Sequence, residues 1–215
     1  MRLPLFPLHT VLFPGMRLPL HIFEPRYRLM IDECLTAGSP FGVVLIRSGR
    51  EVGEPADPHP VGTTAHITGV ERLPDGRINL EVVGQQRFQV VSVHTDRDYL
   101  TGTIADFPLT GTDADQARRL AVALRPWLGR YLELLGEKAE TAFDRAQLPL
   151  DPANLGYLAA IVAQIPLTEK QHLLSLSTAS ELLAHERRLY RRELALLRAM
   201  LNHRHSSDAS RFSPN

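Results

Sequence analysis

Apolar and polar positions alternate in short runs along the first half of the chain, and after Phe107 the recurrence lengthens to about 3.6 residues. Residues 18–23 form a short extended apolar run, and residues 41–46 are continuously apolar. Residues 61–73, 77–83, 87–93 and 99–107 follow as further predicted strands. The links Pro74-Asp75-Gly76, Gly84-Gln85-Gln86 and Asp96-Arg97-Asp98 have turn chemistry. Prolines 4, 7, 14 and 19 exclude a helix at the start, and Pro14-Gly15 is a turn pair. Pro25 suits a first helical position, and Tyr27, Met30, Ile31, Cys34 and Leu35 recur at helical spacing until Gly38. Residues 48–60, rich in glycine and proline, read as a mobile surface loop.

The second half is helical in period. Leu120, Leu124, Trp127, Leu128, Tyr131 and Leu135 form one stripe that starts at Thr112 or Asp113, with Pro126 expected to kink it. A second helix begins at Asp151-Pro152, carries Leu155, Leu158, Val162 and Ile165, and ends at Pro166. Thr168 with Gln171, and Thr178 with Glu181, have capping-box spacing and predict two more helices. The last runs to about Leu201, with Leu183, Tyr190, Leu194, Leu197 and Leu201 on one face and a polar, frayed tail from His203. Leu182, Leu189 and Leu196 recur every seven residues, which fits either self-association through this helix or packing inside a bundle.

Composition narrows the class. The chain has 215 residues, 44 % hydrophobic and 22 % charged, enough for a buried core. No apolar run approaches the roughly 20 residues of a membrane span, and the proline-broken start does not read as a signal peptide. A cytoplasmic protein without membrane partners is expected. Formal net charge is zero, and neither half forms the basic pole that nucleic acid requires. Cys34 is the one cysteine, so a disulfide within the chain is excluded, and it reads as a small packed residue on a helix.

The opening runs Pro4-Leu5-Phe6-Pro7-Leu8, Leu12-Phe13-Pro14-Gly15 and Leu18-Pro19-Leu20-His21-Ile22-Phe23-Glu24-Pro25-Arg26-Tyr27 resemble the start of the Lon protease N-terminal domain. Pro40-Phe41-Gly42-Val43-Val44-Leu45, Val61-Gly62-Thr63, Asp75-Gly76-Arg77, Gly84 with Arg87-Phe88, and Tyr99-Leu100 follow in that family's order. Pro166-Leu167, Glu169-Lys170-Gln171 and Leu173-Leu174 extend the similarity into the helical half. The resemblance implies an α+β protein. Residues 1–107 would form an antiparallel, β-barrel-like, PUA-like subdomain with one short helix. Residues 108–215 would form a helical bundle with a polar tail.

In that family the domain recognises protein substrates for an ATPase and a peptidase further along the chain. At 215 residues a freestanding copy without either is expected. The residues agree: no Gly-Lys dipeptide supplies a phosphate-binding loop, and no G-x-G-x-x-G pattern occurs. Only Lys138 and Lys170 could serve a Ser/Lys dyad, and both read as solvated helix positions. His185-Glu186 starts a zinc-protease pattern that Leu189 breaks, and His203 with His205 would make a weak pair at most. No catalytic residue, metal or cofactor is expected.

The leading reading is a non-enzymatic module that binds extended apolar segments of unfolded or misfolded proteins weakly, with a separate ATP-dependent protease as its expected associate. Candidate contacts are Leu12, Phe13, Met16 and Phe23, with Arg26 and Tyr27 at the rim, on the argument that prolines can keep these side chains from full burial; the competing reading, favoured for Phe23, is that all four fill the barrel. The competing reading for Glu24 and Arg26 is a lock on the strand-to-helix junction. The alternative function is an RNA- or nucleic-acid-binding module of PUA-like architecture, resting on Arg187, Arg188, Arg191 and Arg192, which Glu186 and Glu193 interrupt.

Overall fold

The computed structural model describes residues 1–49, 57–139 and 144–209, except the side chains of 137–139 and 198–209. Most of the expected loop at 48–60, and the side chains of Lys138, Leu201, His203 and His205, lie outside the described residues. Two compact units are present, Met1–Thr110 with Ala160–Ser177, and Gly111–Ala159 with Thr178–Asn215. The segment 160–177 thus lies in the same unit as the strands, across the boundary expected near residue 107.

The first unit contains β1 (Arg2–Leu8), β2 (Arg17–Ile22), α1 (Pro25–Ala37), β3 (Phe41–Ser48), β4 (Asp57–Arg72), β5 (Ile78–His94) and β6 (Thr101–Asp106). Strand order is β2-β5-β4-β3-β1-β6, and β6 pairs back onto β5. The sheet is mixed rather than antiparallel, because β1 runs parallel to β3. Between them the chain passes through β2 and α1, the long connection that a parallel pair needs. Pro4 and Pro7 hide β1 from a sequence reading. They are tolerated because β1 changes partners: Arg2 to Pro4 pair with β6, and Leu5 to Leu8 with β3.

Gly84-Gln85-Gln86 is not a turn, and the two strands predicted on either side are one. β5 continues through Gly84, pairing with β2 over Ile78 to Val83 and with β6 over Phe88 to His94. Gly84 exchanges backbone bonds with the Pro14-Gly15 turn: Gly15 N–H to Gly84 O at 2.8 Å and Gly84 N–H to Met16 O at 2.9 Å. A Cβ at Gly84 would stand 2.3 Å from Phe13 O, so glycine is required by close approach rather than by a turn.

α1 forms as expected, with Pro25 in its first turn and Gly38 at φ 60° ending it. Ser39 N–H bonds Cys34 O and Gly38 N–H bonds Leu35 O, the paired closure of a left-handed helix end. Its buried face, Tyr27, Met30, Ile31 and Cys34, joins Phe6, Phe41, Val43, Leu80 and Val82 in the main core. Burial of each large apolar side chain there contributes about 1.5–3 kcal/mol.

α4 (Leu167–Leu174) completes this unit. Its predicted Thr168/Gln171 box does not form, since Pro166 is the N-cap and no side chain caps it. Gln171 instead donates through Nε2 to Val61 O at 2.9 Å. Arg87, buried on β5, donates to Leu174 O at 2.7 Å and Leu176 O at 2.6 Å.

The second unit holds α2 (Asp115–Ala139), a 3-10 turn (Arg145–Gln147), the first part of α3 (Pro152–Val162), and α5 (Ala179–Ala209). Pro126 lies inside α2. The Thr178/Glu181 box forms reciprocally, with both backbone N–H to side-chain distances at 3.2 Å. Tyr131 and Tyr190 meet edge to face at 5.0 Å, and Tyr190 OH donates to Ala159 O at 2.6 Å. Gly156 allows the close approach of α5, since a Cβ there would meet Leu182 Cδ2 at 2.8 Å. α5 continues to Ala209, past the expected end near Leu201, as extension of an established helix costs little. Of the seven-residue series, Leu182 and Leu189 are buried and Leu196 is exposed.

Candidate functional site

The opening segment does not present the surface its prolines suggest. Phe13 is 0 % exposed, and Leu12 is buried in the main core. Pro14 and Gly15, the latter at φ 79°, form a turn closed by Met16 N–H to Phe13 O at 3.0 Å. That turn sits on Gly84, while the buried Thr63 hydroxyl donates to Leu12 O at 2.6 Å. The prolines shape a turn that turns its apolar side chains inward, so Leu12 and Phe13 are not surface contacts. Met16 is partly buried against the same core.

Phe23 is the exception, at 50 % exposed. It stands between β2 and α1, with its ring 6.3 Å from that of His21. Tyr27 is buried, with its ring 4.3 Å from Phe6. Arg26 donates through Nε to Glu24 Oε2 at 3.0 Å and lies 4.5 Å over the Tyr27 ring. Glu24 and Arg26 therefore tie the strand-to-helix junction together.

Two surface hollows share β2 as a common wall. One, of about 320 Å³, is lined by Phe6, Leu8, Pro19 to Glu24, and Tyr27. The other, of about 480 Å³, is lined by three residues from each of three neighbouring strands: Pro19 to His21, Asn79 to Glu81, and Gly69 to Glu71. Register accounts for this grouping, because Leu20 pairs with Leu80 and Leu80 with Val70. Among the described residues β2 pairs only with β5, and its other edge has no strand partner. Pro19, which has no backbone donor, is placed as an edge strand permits.

A polar row crosses the larger hollow. Asn79 accepts from His21 Nδ1 at 2.7 Å and donates to Glu71 Oε2 at 2.8 Å. Arg77 NH1 lies 3.4 Å from His21 Nε2, so His21 carries its proton on Nδ1 in this arrangement. Hydrogen bonds from Arg77 hold the Asp75 carboxyl below the usual carboxylate range. This row orients side chains and supplies no nucleophile with an adjacent base.

Among the described residues no three His, Cys, Asp or Glu side chains gather to hold a metal. Cys34 is buried, and burial pushes its thiol up, away from the reactive thiolate. Lys170 is partly buried rather than solvated: its ammonium donates to Ile161 O at 2.9 Å, and burial pushes its pKa down. No helix among the described residues is long and apolar enough to cross a membrane.

Of the six residues singled out from sequence, Phe23 and Tyr27 line the smaller of these two hollows. The larger hollow escaped the sequence reading because its walls come from three strands whose register no local pattern reveals. The one local signal is Val70, an apolar residue beside Glu71 and Arg72 on a strand end.

Comparison with known proteins places this architecture. The profile of the ATP-dependent protease La (LON) substrate-binding domain matches residues 2–190. The Lon protease of Anaeromyxobacter dehalogenans is 29 % identical over 175 residues, covering 80 % of this chain and 21 % of that protein. Lon protease 2 of Syntrophobacter fumaroxidans is 27 % identical over 189 residues, covering 86 % and 23 %. The chain thus spans about a fifth of the length of these relatives. The crystal structure of a Lon N-terminal domain protein from Xanthomonas campestris superposes with a TM-score of 0.65 at 27 % identity, covering 86 % of this chain and 96 % of that one. The N-terminal domain of the Mycobacterium avium complex Lon protease gives a TM-score of 0.71 at 18 % identity, covering 89 % and 98 %, and shares the fold. With the profile spanning most of its length, this chain belongs to the Lon substrate-binding domain family.

Proposed function

We propose that this chain is a non-enzymatic recognition module that takes extended apolar segments of unfolded proteins along β2. The observation that carries this reading is the pair of hollows flanking one edge strand, with Phe23 exposed at the end of that strand. An extended peptide could place side chains in hollows on either side of β2 and bond its backbone to the open edge, the mode of strand addition. Family membership supports the same direction, and the buried thiol and engaged Lys170 offer no competing nucleophile.

The binding is weak by design of the surface. Two or three anchors, each worth about 1.5–3 kcal/mol when buried, are offset by the cost of ordering a free chain, which leaves affinities near or above the micromolar range. Such affinity suits a sampler of many unfolded chains, delivered to a separate ATP-dependent protease.

The test is fluorescence anisotropy with a labelled peptide of alternating leucine and phenylalanine residues in a polar frame. Wild type should bind saturably, and Phe23→Asp and Val70→Asp should each weaken binding at least about fivefold while the melting temperature holds. Equal binding by wild type and both variants would remove β2 as the site.

A further inference from the structure

The last helix carries a second surface of different chemistry. Arg187, Arg188, Arg191 and Arg192 are all exposed on α5. In the sequence Glu186 and Glu193 flank them, as on an ordinary solvated face; in the structure the two acids are placed differently. Glu186 is 0 % exposed and turned inward beside Gly156, on the face that also buries Tyr190. Its carboxyl oxygens have no hydrogen-bond partner and lie inside the fold, so it does not face the arginines, and burial pushes its pKa up. Glu193 pairs with Arg192, at 3.0 Å from Nε, among the described residues. Arg191 stands 5.6 Å from the Trp127 ring centre. Arg187 and Arg188 make no hydrogen bond or ion pair among the described residues.

Geometry makes these four a strip. Arg187 with Arg191, and Arg188 with Arg192, stand one helical turn apart in two adjacent rows, where like charges repel. An anionic partner relieves that repulsion and can engage each guanidinium through two parallel hydrogen bonds.

We propose that this strip on α5, bordered by Trp127, docks an acidic polypeptide segment whose carboxylates match the two rows of arginines. Several observations favour polypeptide over nucleic acid. The chain has no net charge to draw a polyanion from a distance. Nucleic-acid affinity rests chiefly on the number of phosphates neutralised and falls with salt, and this strip has four cations, one already paired. Trp127, the aromatic ring at its border, already has Arg191 5.6 Å from its ring centre, where a base would have to displace it to stack on that face. The strip belongs to the second unit and β2 to the first, so an acidic segment on α5 and an apolar segment on β2 would be held by different residues.

The test uses the full chain and a labelled oligo-glutamate peptide, with an oligo-uridine RNA and an RNA duplex as rival probes. The peptide should bind saturably and weaken about tenfold or more between about 50 and 200 mM salt. Arg187→Glu/Arg188→Glu should weaken it about tenfold or more, and Arg187→Gln/Arg188→Gln by less, with circular dichroism and melting temperature unchanged. Phe23→Asp should leave this binding intact, which separates its fate from that of the β2 site. No saturable binding of oligo-glutamate, equal binding by the charge-reversed variant, or tighter binding of either RNA would overturn the proposal.

Discussion

Arg87 on β5 donates to the carbonyl of Leu174 at 2.7 Å, tying the middle of a strand to the end of a helix far along the chain. The same nitrogen reaches Leu176 O at 2.6 Å, and the guanidinium lies 4.8 Å from the Phe107 ring centre. Two main-chain carbonyls, one at the end of α4 and one just beyond it, accept from this buried cation. Arg87→Met should destabilise the protein by about 3 kcal/mol in urea unfolding, since the carbonyls lose a charged donor. A loss below about 0.5 kcal/mol would show that this tie holds nothing.

Phe13 and Phe23 separate packing from recognition. Phe13→Asp places a carboxylate in a site with no exposure, and should abolish cooperative unfolding or lower stability by more than about 4 kcal/mol. Phe23→Asp should change stability by less than about 0.5 kcal/mol. Thermal melts of the two variants check the contrast.

Gly84 and Gly69 make a similar pair on neighbouring strands. Gly84→Ala would drive a methyl against backbone atoms of the Pro14-Gly15 turn, costing about 1–3 kcal/mol or more. At Gly69 the nearest atom to a Cβ is Glu81 Cβ at 3.4 Å, an ordinary contact, so Gly69→Ala should be tolerated. Urea midpoints compared at equal slope decide this.

These positions show what the sequence discloses. α1, its Pro25 start and its Gly38 end are legible because local chemistry determines them, as does the Thr178/Glu181 cap. β1 is hidden by Pro4 and Pro7, whose tolerance depends on a change of partner strand. Gly84 looks like a turn residue until Phe13 O is seen beside it. The hollows follow from cross-strand register, a non-local quantity, so Phe23 and Tyr27 could be found from their segment while Val70, Asn79 and Glu81 could not. Glu186 reads as a surface acid among arginines and is the most deeply buried acid described.

Burial pushes the Glu186 carboxyl well above the ordinary carboxylate value, whereas in the unfolded chain it ionises near pH 4.5. Below that pH both states are protonated and the group costs nothing. Above it the folded chain retains a proton that the unfolded chain releases, so stability falls as pH rises, by about 1.4 kcal/mol per unit, until the folded carboxyl also ionises. The titratable group that feels it is Tyr190, whose hydroxyl is pushed up by burial and then by the Glu186 carboxyl. Glu186→Gln should remove this slope and exceed wild type in stability by a margin that grows from pH 5 to pH 7. Unfolding curves across that range, with a constant difference between the two proteins, would refute a protonated Glu186.

The most direct test of recognition along β2 is a chemical-shift titration of the ¹⁵N-labelled chain with an unlabelled apolar peptide. The account predicts that the largest shifts cluster at Leu18, Leu20 to Phe23, Gly69 to Glu71 and Asn79 to Glu81, and that they vanish in Phe23→Asp. Shifts confined to other strands or helices, or no shifts at peptide concentrations well above the micromolar range, would contradict it.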